Sequence, residues 1–308
     1  MTTAYAGAMR VGTGVLHYRF WPEARETIDA LLGQTRPPDE LVVFDNGSGD
    51  GSPERIRDAY PTVVVRSVAA NLGPSAGMNR VMDSVLDLGV DAVQLVPHDC
   101  TLAEDALEQL VARLEGDPRL GAVGPVLGYS SEPERLWSAG GDIHPRNWDT
   151  GHPRLAPTVS EAYRRAPYEV DWLDGSGILM RADAVERTGR YSEQFFYFFD
   201  EPDYHIRMRR LGWRLECVPA AAAWQEPGFP NPYMFVRNRL GFLARNAPRR
   251  VLARELLRVA FHLARDTIRP RSTLDRSEAW LRLRGAVDFA RGRWGPPPAS
   301  LGFRRSES

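Results

Sequence analysis

The sequence of 308 residues has no lysine, only two cysteines and no apolar run that could span a membrane. All 39 basic residues are arginines, and 40 acidic residues bring the net charge to -1, which gives no sign of nucleic-acid binding. Cys100 and Cys217 form neither a disulfide framework nor a metal-ligand cluster, so we expect reduced thiols. Residues 1–10 lack the apolar core of a signal peptide. We therefore expect a cytoplasmic protein that binds no nucleic acid.

Strand-like apolar runs alternate with amphipathic helical patterns over about the first 125 residues. The predicted strands are 10–16, 41–44, 63–65, 92–96 and one that begins at 122, and the predicted helices are 22–34, 53–60, 75–88 and 103–114. This alternation is typical of right-handed βαβ crossovers and predicts an α/β fold with a mostly parallel central sheet. Farther along, residues 128–168 have no clear period, 170–181 and 214–218 are strand-like, and 203–210 is a predicted helix.

One predicted strand ends in a turn that is crowded with small and polar residues. The apolar run 41–44 is followed by Asp45, Asn46, Gly47, Ser48, Gly49, Asp50, Gly51 and Ser52. Ser52 and Pro53 are typical of a helix start, with Ser52 as the N-cap. Because ligands of open α/β sheets bind outside the carboxyl ends of the strands, we expect a binding crevice here.

Three groups of acidic residues follow strands or strand-like runs. They are Asp45 with Asp50, then Asp99, and then Asp200 with Glu201 and Asp203. A single acid at a strand end is more often a turn or cap residue. Several carboxylates at one sheet edge suit a divalent cation that carries a diphosphate, with one carboxylate left to act as a base.

These motifs together resemble the family 2 glycosyltransferases, which have the GT-A fold. The resemblance covers residues 11–295 and rests on the following segments: 45–52; Asn71-Leu72-Gly73 through Asn79; Asp99; Gly175 before 179–181; and Asp200-Glu201-x-Asp203-x-x-x-Arg207. Tyr233-x-x-x-Arg237-Asn238 and 292–295 are similar to the tail of bacterial rhamnosyl- and galactofuranosyl-transferase-like members.

The resemblance implies an inverting transfer of a sugar from a UDP- or dTDP-sugar to a hydroxyl of a glycan, a lipid-linked glycan or a natural product. Glu201 would be the catalytic base, with Asp200 as its rival, because the family's usual Glu-Asp order is reversed here. The implied donor-binding residues are His17, Tyr18, Arg19, Asp45, Asn46, Ser48, Asp50, Asn71, Gly77 and Asn79. The implied acceptor residues are Trp172, Asp174, Gly175 and Asp203. Further aromatic and polar candidates are Trp137, Asp142, His144, Trp148 and His152.

The resemblance also implies a divalent cation, Mg²⁺ or Mn²⁺, held by Asp99. Two positions depart from the family pattern: Pro97 stands where a second polar residue is usual, and Gln225 replaces a histidine that follows the last strand. An amide oxygen can still bind a hard cation. Gln225 and His98 are therefore secondary candidates as metal ligands, and a hydrogen-bonding role for His98 in the loop is the alternative.

We expect a GT-A domain over residues 10–230, with a nucleotide-sugar half at 10–125 and an acceptor and catalytic half at 126–230, followed by a helical extension at 231–308. Residues 249–308 contain 14 arginines and 6 acids. This extension either packs on the domain or makes peripheral contact with an anionic membrane, at its inner face, or with a partner.

Two other functions stay open at this point. A sugar nucleotidyltransferase would normally carry a glycine-rich phosphate loop after the first strand, and residues 15–19 lack the glycines. A nucleotide-sugar-binding protein without turnover is the second alternative, suggested by Pro97 and Gln225.

Overall fold

The computed structural model describes residues 9–152, 156, 158–228, 231–268 and 273–298. The first part of the chain alternates strand and helix as predicted. Its elements are β1 Val11–His17, α1 Trp21–Leu32, β2 Glu40–Asp45, α2 Ser52–Ala59, β3 Val64–Ser67, α3 Pro74–Leu86 and β4 Ala92–Pro97. Ser52 is already inside α2 and does not cap it: the residue before it, Gly51, is the cap, in a left-handed conformation.

The second part has longer strands at its centre and short strands in its loops. Its elements are β5 Thr101–Leu102, α4 Ala106–Gly116, β6 Leu120–Gly128, β7 Leu136–Ser138, β8 Asp142–Ile143, β9 Thr150–Gly151, α5 Val159–Ala162, β10 Tyr168–Glu169, β11 Ile178–Arg181, α6 Ala182–Thr188, α7 Asp200–Arg210, β12 Arg214–Trp224, α8 Pro232–Asn246, α9 Arg249–Ile268 and α10 Thr273–Ala290. The stretch 128–168, which has no period in sequence, thus contains β7 to β9, α5 and the start of β10. Helix α7 begins three residues earlier than predicted, so that Asp200 and Glu201 lie in its first turn.

The central sheet has the strand order β10-β12-β6-β11-β4-β1-β2-β3. The run β3-β2-β1-β4 is parallel, as is the pair β6 and β12, whereas β11 lies antiparallel between β4 and β6. The α/β prediction, with a mostly parallel sheet and helices at the C-terminal end, is confirmed. In the described part of the chain, no helix has the length and apolar character needed to cross a membrane.

Both faces of the sheet are covered, which explains the continuous apolar run of β2. Val42 and Phe44 pack in the hydrophobic cluster on one face, and Leu41 and Val43 pack in the cluster on the other. Successive side chains of a strand point to opposite faces, so a strand buried on both sides is apolar at every position.

A third hydrophobic cluster joins the segment 195–206 to the C-terminal helices. It consists of Phe195, Phe199, Ile206, Phe242, Leu243 and Val251. Residues on both sides of the predicted boundary at 230 therefore share one cluster, and α8 packs as an integral layer of the fold.

Asp203 connects α7 to α8 through buried charge. Its Oδ1 atom accepts hydrogen bonds from Arg245 Nε at 2.9 Å and from Asn246 Nδ2 at 2.8 Å, and its Oδ2 atom lies 3.4 Å from Arg207 Nε. The carboxylate is almost fully buried and does not line the large cleft described below. Its place in the structure is that of a brace between helices, not that of the acceptor residue expected from the sequence.

We predict that Asp203→Asn lowers the free energy of unfolding by about 2 kcal/mol. The substitution removes the charge that compensates two arginines, although both arginines keep partial access to water, which limits the loss. Urea unfolding measures the effect. Asp87→Asn is the matched control, because Asp87 pairs with Arg66 at the surface and such pairs contribute about 0–1 kcal/mol. Equal unfolding midpoints for the two variants would contradict the proposed brace.

Candidate functional site

A cleft of about 740 Å³ opens where β1 and β4 end. The predicted residues that line it are Tyr18, Asn46, Asn71, His98, Asp99, Trp172, Asp174, Gly175, Asp200, Glu201 and Gln225. Candidates from the donor, metal, acceptor and catalytic groups therefore meet in one cavity, although they are up to 207 residues apart in sequence.

Asn46 joins the end of β2 to the turn before α3. Its Nδ2 atom donates to Asn71 Oδ1 and to the Gly73 carbonyl, both at 3.2 Å, and its Oδ1 atom accepts from Leu72 N at 3.0 Å. A Cβ atom at Gly77 would lie 2.8 Å from Asn46 Nδ2. Gly77 thus contributes space for the Asn46 amide, and it does not itself line the cleft.

His17 is fully buried, and it acts on the site through Ser52 and Asp50. His17 Nε2 lies 2.7 Å from Ser52 Oγ, and that hydroxyl donates to Asp50 Oδ1 at 2.5 Å. Burial, together with the neighbouring His98, lowers the pKa of His17 to about 4, so the ring is neutral at pH 7. The structure makes His17 a support for the exposed Asp50 rather than part of the cleft lining.

Asp45, Ser48 and Arg19 hold one another in the turn beside the cleft. Ser48 N donates to Asp45 Oδ1 at 3.2 Å, and Ser48 Oγ accepts from Arg19 N at 2.7 Å. Asp45 is buried, so its carboxylate stabilises the turn, whereas the Arg19 side chain is exposed. These three predicted donor residues lie outside the cleft lining in this structure.

Asn79 is the remaining predicted donor residue, and it too lies outside the cleft lining. Its side-chain amide is buried and exchanges two hydrogen bonds with the backbone of Tyr191, at 2.8 and 3.0 Å. Both the donor and the acceptor function of this amide are therefore used to attach α3 to the loop before Asp200 and Glu201.

Asp99 is the exposed carboxylate of the cleft, and it is linked to Gln225 and Ser176. Gln225 Nε2 donates to Asp99 Oδ1 at 2.7 Å, and Ser176 Oγ donates to Gln225 Oε1. His98 precedes Asp99, and its ring packs edge-on against the ring of His17, with 5.4 Å between the ring centroids.

These residues fit a cation that arrives with a ligand better than one held by the protein alone. Among the described residues, no three His, Cys, Asp or Glu side chains come together as a metal site. Asp99 offers one carboxylate, and Gln225 would offer its amide oxygen if the amide turned over. Mg²⁺ is commonly bound in this way, by one or two carboxylates together with substrate phosphates and water.

Asp200 and Glu201 line the cleft from the first turn of α7. Ser75 Oγ donates to Asp200 Oδ2 at 2.6 Å, and Gly175 N donates to Glu201 Oε1 at 2.6 Å. Burial raises the pKa of Glu201 well above its ordinary range, and the charges of Asp200 and Asp174 raise it further. A carboxylate with a raised pKa is a stronger base once it is ionised, which suits a group that removes a proton near neutral pH.

The loop just before these acids is strained and is held by α8. Phe196, Phe198 and Phe199 have φ angles of 63°, 65° and 67°, which are uncommon for residues with a bulky side chain. Asn238 Nδ2 donates to the carbonyls of Phe195 at 2.8 Å and Tyr197 at 2.7 Å. Burial and the neighbouring carboxylates raise the pKa of Tyr197, so its phenol remains a hydrogen-bond donor in the cleft.

The part of the cleft that contains Asp174 and Trp172 has a compact polar group next to aromatic rings. Ser138 Oγ donates to Asp174 Oδ2 and lies 3.1 Å from His152 Nδ1. The His152 ring lies 4.9 Å from the ring of Trp172. Trp137 also lines the cleft, but its indole N–H is bonded to backbone carbonyls, which makes it part of the wall.

Among the lining residues that the sequence-based prediction missed are Ser176, Tyr191, Tyr197 and Phe235. Ser176 directly follows the predicted residue Gly175, and Tyr197 stands three residues before Asp200. The sequence therefore partly indicated these two positions. Phe235 lies on α8 and reaches the cleft only through the packing of that helix. No local pattern in the sequence distinguishes it from a core phenylalanine.

Comparison with known proteins agrees with this arrangement. A sequence profile of the family described as glycosyltransferase like family 2 matches residues 21–250. Over 224 residues the chain is 27% identical to an N-acetylglucosaminyl-diphospho-decaprenol L-rhamnosyltransferase of Mycobacterium tuberculosis, a match that covers 65% of this chain and 70% of that protein. It is 28% identical over 293 residues to the galactofuranosyltransferase GlfT1 of M. tuberculosis, with 88% and 92% covered.

The fold is similar to that of GalNAc-T7, solved with UDP, GalNAc and Mn²⁺, with a TM-score of 0.58 at 14% identity. This match covers 78% of the chain, which spans 50% of the length of that protein. The family profile includes β2, α3, β4, β12 and α8, and thus the elements that carry most of the cleft. The resemblance read from the motifs is confirmed: the chain belongs to glycosyltransferase-like family 2 and is a glycosyltransferase with the GT-A fold.

Proposed function

We propose that this glycosyltransferase moves a sugar from a UDP- or dTDP-sugar to a hydroxyl of a lipid-linked glycan, with inversion at the anomeric carbon. The observation that carries the proposal is that Asp99 and Glu201 line the same cleft as Tyr18, Asn71 and Trp172. A mycobacterial relative whose name specifies a diphospho-decaprenol acceptor supports the lipid-linked class.

The donor occupies the end of the cleft nearest β1. Tyr18, Asn46 and Asn71 contact the nucleoside there, and the exposed Asp50, held by Ser52, accepts hydrogen bonds from the ribose at the edge of the cleft. Asp99 and the amide oxygen of Gln225 would hold a divalent cation at the diphosphate. Bound there, the ion would supply positive charge for the departing nucleoside diphosphate.

Glu201 removes the proton from the acceptor hydroxyl as that oxygen attacks the anomeric carbon. The bond from the anomeric carbon to the diphosphate oxygen breaks on the opposite side, which inverts the configuration. The Gly175 N–H holds one oxygen of Glu201, and the Tyr197 phenol donates a hydrogen bond to a substrate oxygen in the cleft. Asp174 and Trp172 orient the acceptor, through hydrogen bonding and through stacking on a sugar ring, respectively.

Glu201→Gln should reduce kcat for transfer by roughly 10²–10⁴-fold, because the amide cannot accept the proton although it can keep the Gly175 hydrogen bond. Nucleotide-sugar binding, measured as the shift of melting temperature with the ligand, should be retained. Purified protein, a panel of UDP- and dTDP-sugars and a polyprenyl-diphosphate glycan acceptor make up the assay.

Asp200→Asn is the matched variant for this test. Asp200 neighbours Glu201 in the chain and lines the same cleft, but its carboxylate already accepts the Ser75 hydroxyl. We expect it to retain more than about a tenth of the transfer rate. Loss of transfer in Asp200→Asn with normal transfer in Glu201→Gln would assign the base to Asp200 instead. Tight donor binding without release of nucleotide in the unmodified protein would favour a binding protein without turnover.

Asp174→Asn should move the acidic limb of the kcat/KM profile to lower pH. Activity requires ionised Glu201 and is lost as the pH falls through its raised pKa; removing the negative charge of Asp174 lowers that pKa. The pH dependence of kcat/KM measures the shift. Asp87→Asn, a surface variant far from the cleft in the fold, should leave the limb where it is. If the acidic limb of the kcat/KM profile stays at the same pH in Asp174→Asn, it does not report the ionisation of Glu201.

Asp99→Asn should raise the Mn²⁺ concentration needed for half-maximal transfer by roughly tenfold or more, because a neutral amide replaces the one exposed carboxylate at the cation position. Gln225→His should lower that concentration, since it restores the histidine that the family pattern has at this position. Transfer that is independent of added cation after chelation, in both the variants and the parent protein, would show that no cation takes part.

A further inference from the structure

Helix α9 has a second apolar face, which points to solvent. Val251 is buried against the third hydrophobic cluster, and Glu255 and Asp266 are buried on the same side of the helix. On the other side, Leu257 is 72% exposed and Phe261 is 66% exposed. Only one face of α9 is therefore used to attach it to the domain.

The exposed residues form a continuous stripe along the helix. Leu257, Phe261 and Ile268, the last 74% exposed, follow one another at intervals of four and seven residues, which places them on one face. Ala260 and Ala264 are also exposed between them. We call this stripe, Leu257, Phe261, Ala264 and Ile268, the outer face of α9. Single exposed apolar residues are ordinary, but an aligned set on one helix marks an interaction surface.

Arginines border one edge of the outer face. At 100° per residue, Arg254, Arg258 and Arg265 lie along the same side of the stripe. Arg258 and Arg265 have carboxylate partners, Glu255 and Asp266. Arg254 donates to a backbone carbonyl. Arg250 stands seven residues before Leu257, and neither Arg250 nor Arg254 pairs with a carboxylate of the described residues. An apolar stripe bordered by cations is the pattern of a helix that lies in the headgroup region of an anionic membrane.

The outer face is physically connected to the acceptor side of the cleft. Arg254 Nη2 donates to the Arg146 carbonyl at 2.6 Å, and Arg239 of α8 donates to the Asn147 carbonyl at 2.8 Å. Both carbonyls lie in the loop between β8 and β9, and Thr150 at the start of β9 lines the cleft. A surface that binds α9 would therefore lie next to the segment that borders the acceptor site.

We propose that the outer face of α9 docks on an anionic phospholipid surface and thereby presents the cleft to an acceptor anchored in that surface. The proposal rests on the proposed function, because a lipid-linked acceptor is what makes such docking useful. A second copy of the chain fits the face less well, since self-association through one helix would bring two rows of arginines together.

Vesicle flotation of the full chain tests the proposal. The vesicles contain phosphatidylcholine with equimolar phosphatidylglycerol, or phosphatidylcholine alone. The test variant is Leu257→Glu with Phe261→Glu, and the matched control is Leu32→Glu with Leu211→Glu, which replaces two residues that are 41% and 43% exposed on other elements. All four sites are exposed, and melting temperatures check that both double variants fold.

We expect the parent protein and the control to float with phosphatidylglycerol vesicles, and the α9 variant to bind them at least about tenfold more weakly, because each large side chain withdrawn from the membrane interface removes an appreciable part of the binding energy. Binding of the parent should also fall in 0.5 M salt and on phosphatidylcholine alone. Equal flotation of the α9 variant and the parent would overturn the proposal. So would a parent that does not float but forms a dimer that the α9 variant loses, which would assign the face to a second copy.

Release of nucleotide from the donor, measured without vesicles, separates this proposal from the proposed function. The α9 variant should release nucleotide at the parent rate, because its substitutions lie outside the cleft. Vesicle binding by a parent that releases nucleotide from no donor would refute the proposed function and leave the docking surface standing. Donor turnover without vesicle binding would refute the docking surface and leave the proposed function standing.

Discussion

The loop that leads into α7, and so to Asp200 and Glu201, is held by the amide of Asn238. This side chain donates to the carbonyls of Phe195 and Tyr197, in a loop where three phenylalanines have positive φ angles. Such conformations cost roughly 1–3 kcal/mol each, so they persist only where surrounding contacts oppose their relaxation. Here those contacts come from α8, so this C-terminal helix packs as part of the domain. The tail motif therefore has a physical role, because its Asn238 amide holds the loop that leads into α7.

Two kinds of carboxylate share the cleft, and their environments give them different chemistry. Glu201 is partly buried close to Asp174 and Asp200, so its ionised form is disfavoured and it becomes a stronger base. Asp99 is exposed and hydrogen-bonded to Gln225, which leaves its carboxylate accessible to a cation. Under the proposed function, these two environments let one cavity both hold a diphosphate and accept a proton.

Much of the fold and part of the site could be predicted from local patterns. The βαβ alternation, the acid after β4 and the acids at the start of α7 follow from apolar periodicity and strand-end chemistry. Three predicted site residues lie outside the cleft lining for a common reason. Asn79, Asp45 and Asp203 are polar residues in or beside recognisable motifs, but their side chains bond to backbone, to their own turn or to arginines, and local sequence does not reveal the direction of a side chain.

The sequence by itself determined the order of the strands and helices, the family and the carboxylates available for chemistry, because these depend on periodicity and on motifs a few residues long. Only the tertiary structure decided that Phe235 and Tyr197 enter the cleft, that His17 supports Asp50 through Ser52, and that α9 keeps an apolar face in solvent. The reason is that each of these depends on contacts between segments far apart in the chain. The acids at residues 200 and 201 share a cleft with Asp99 because the sheet places the end of β4 beside the start of β11, where Gly175 holds Glu201, and because α8 holds the strained loop in place.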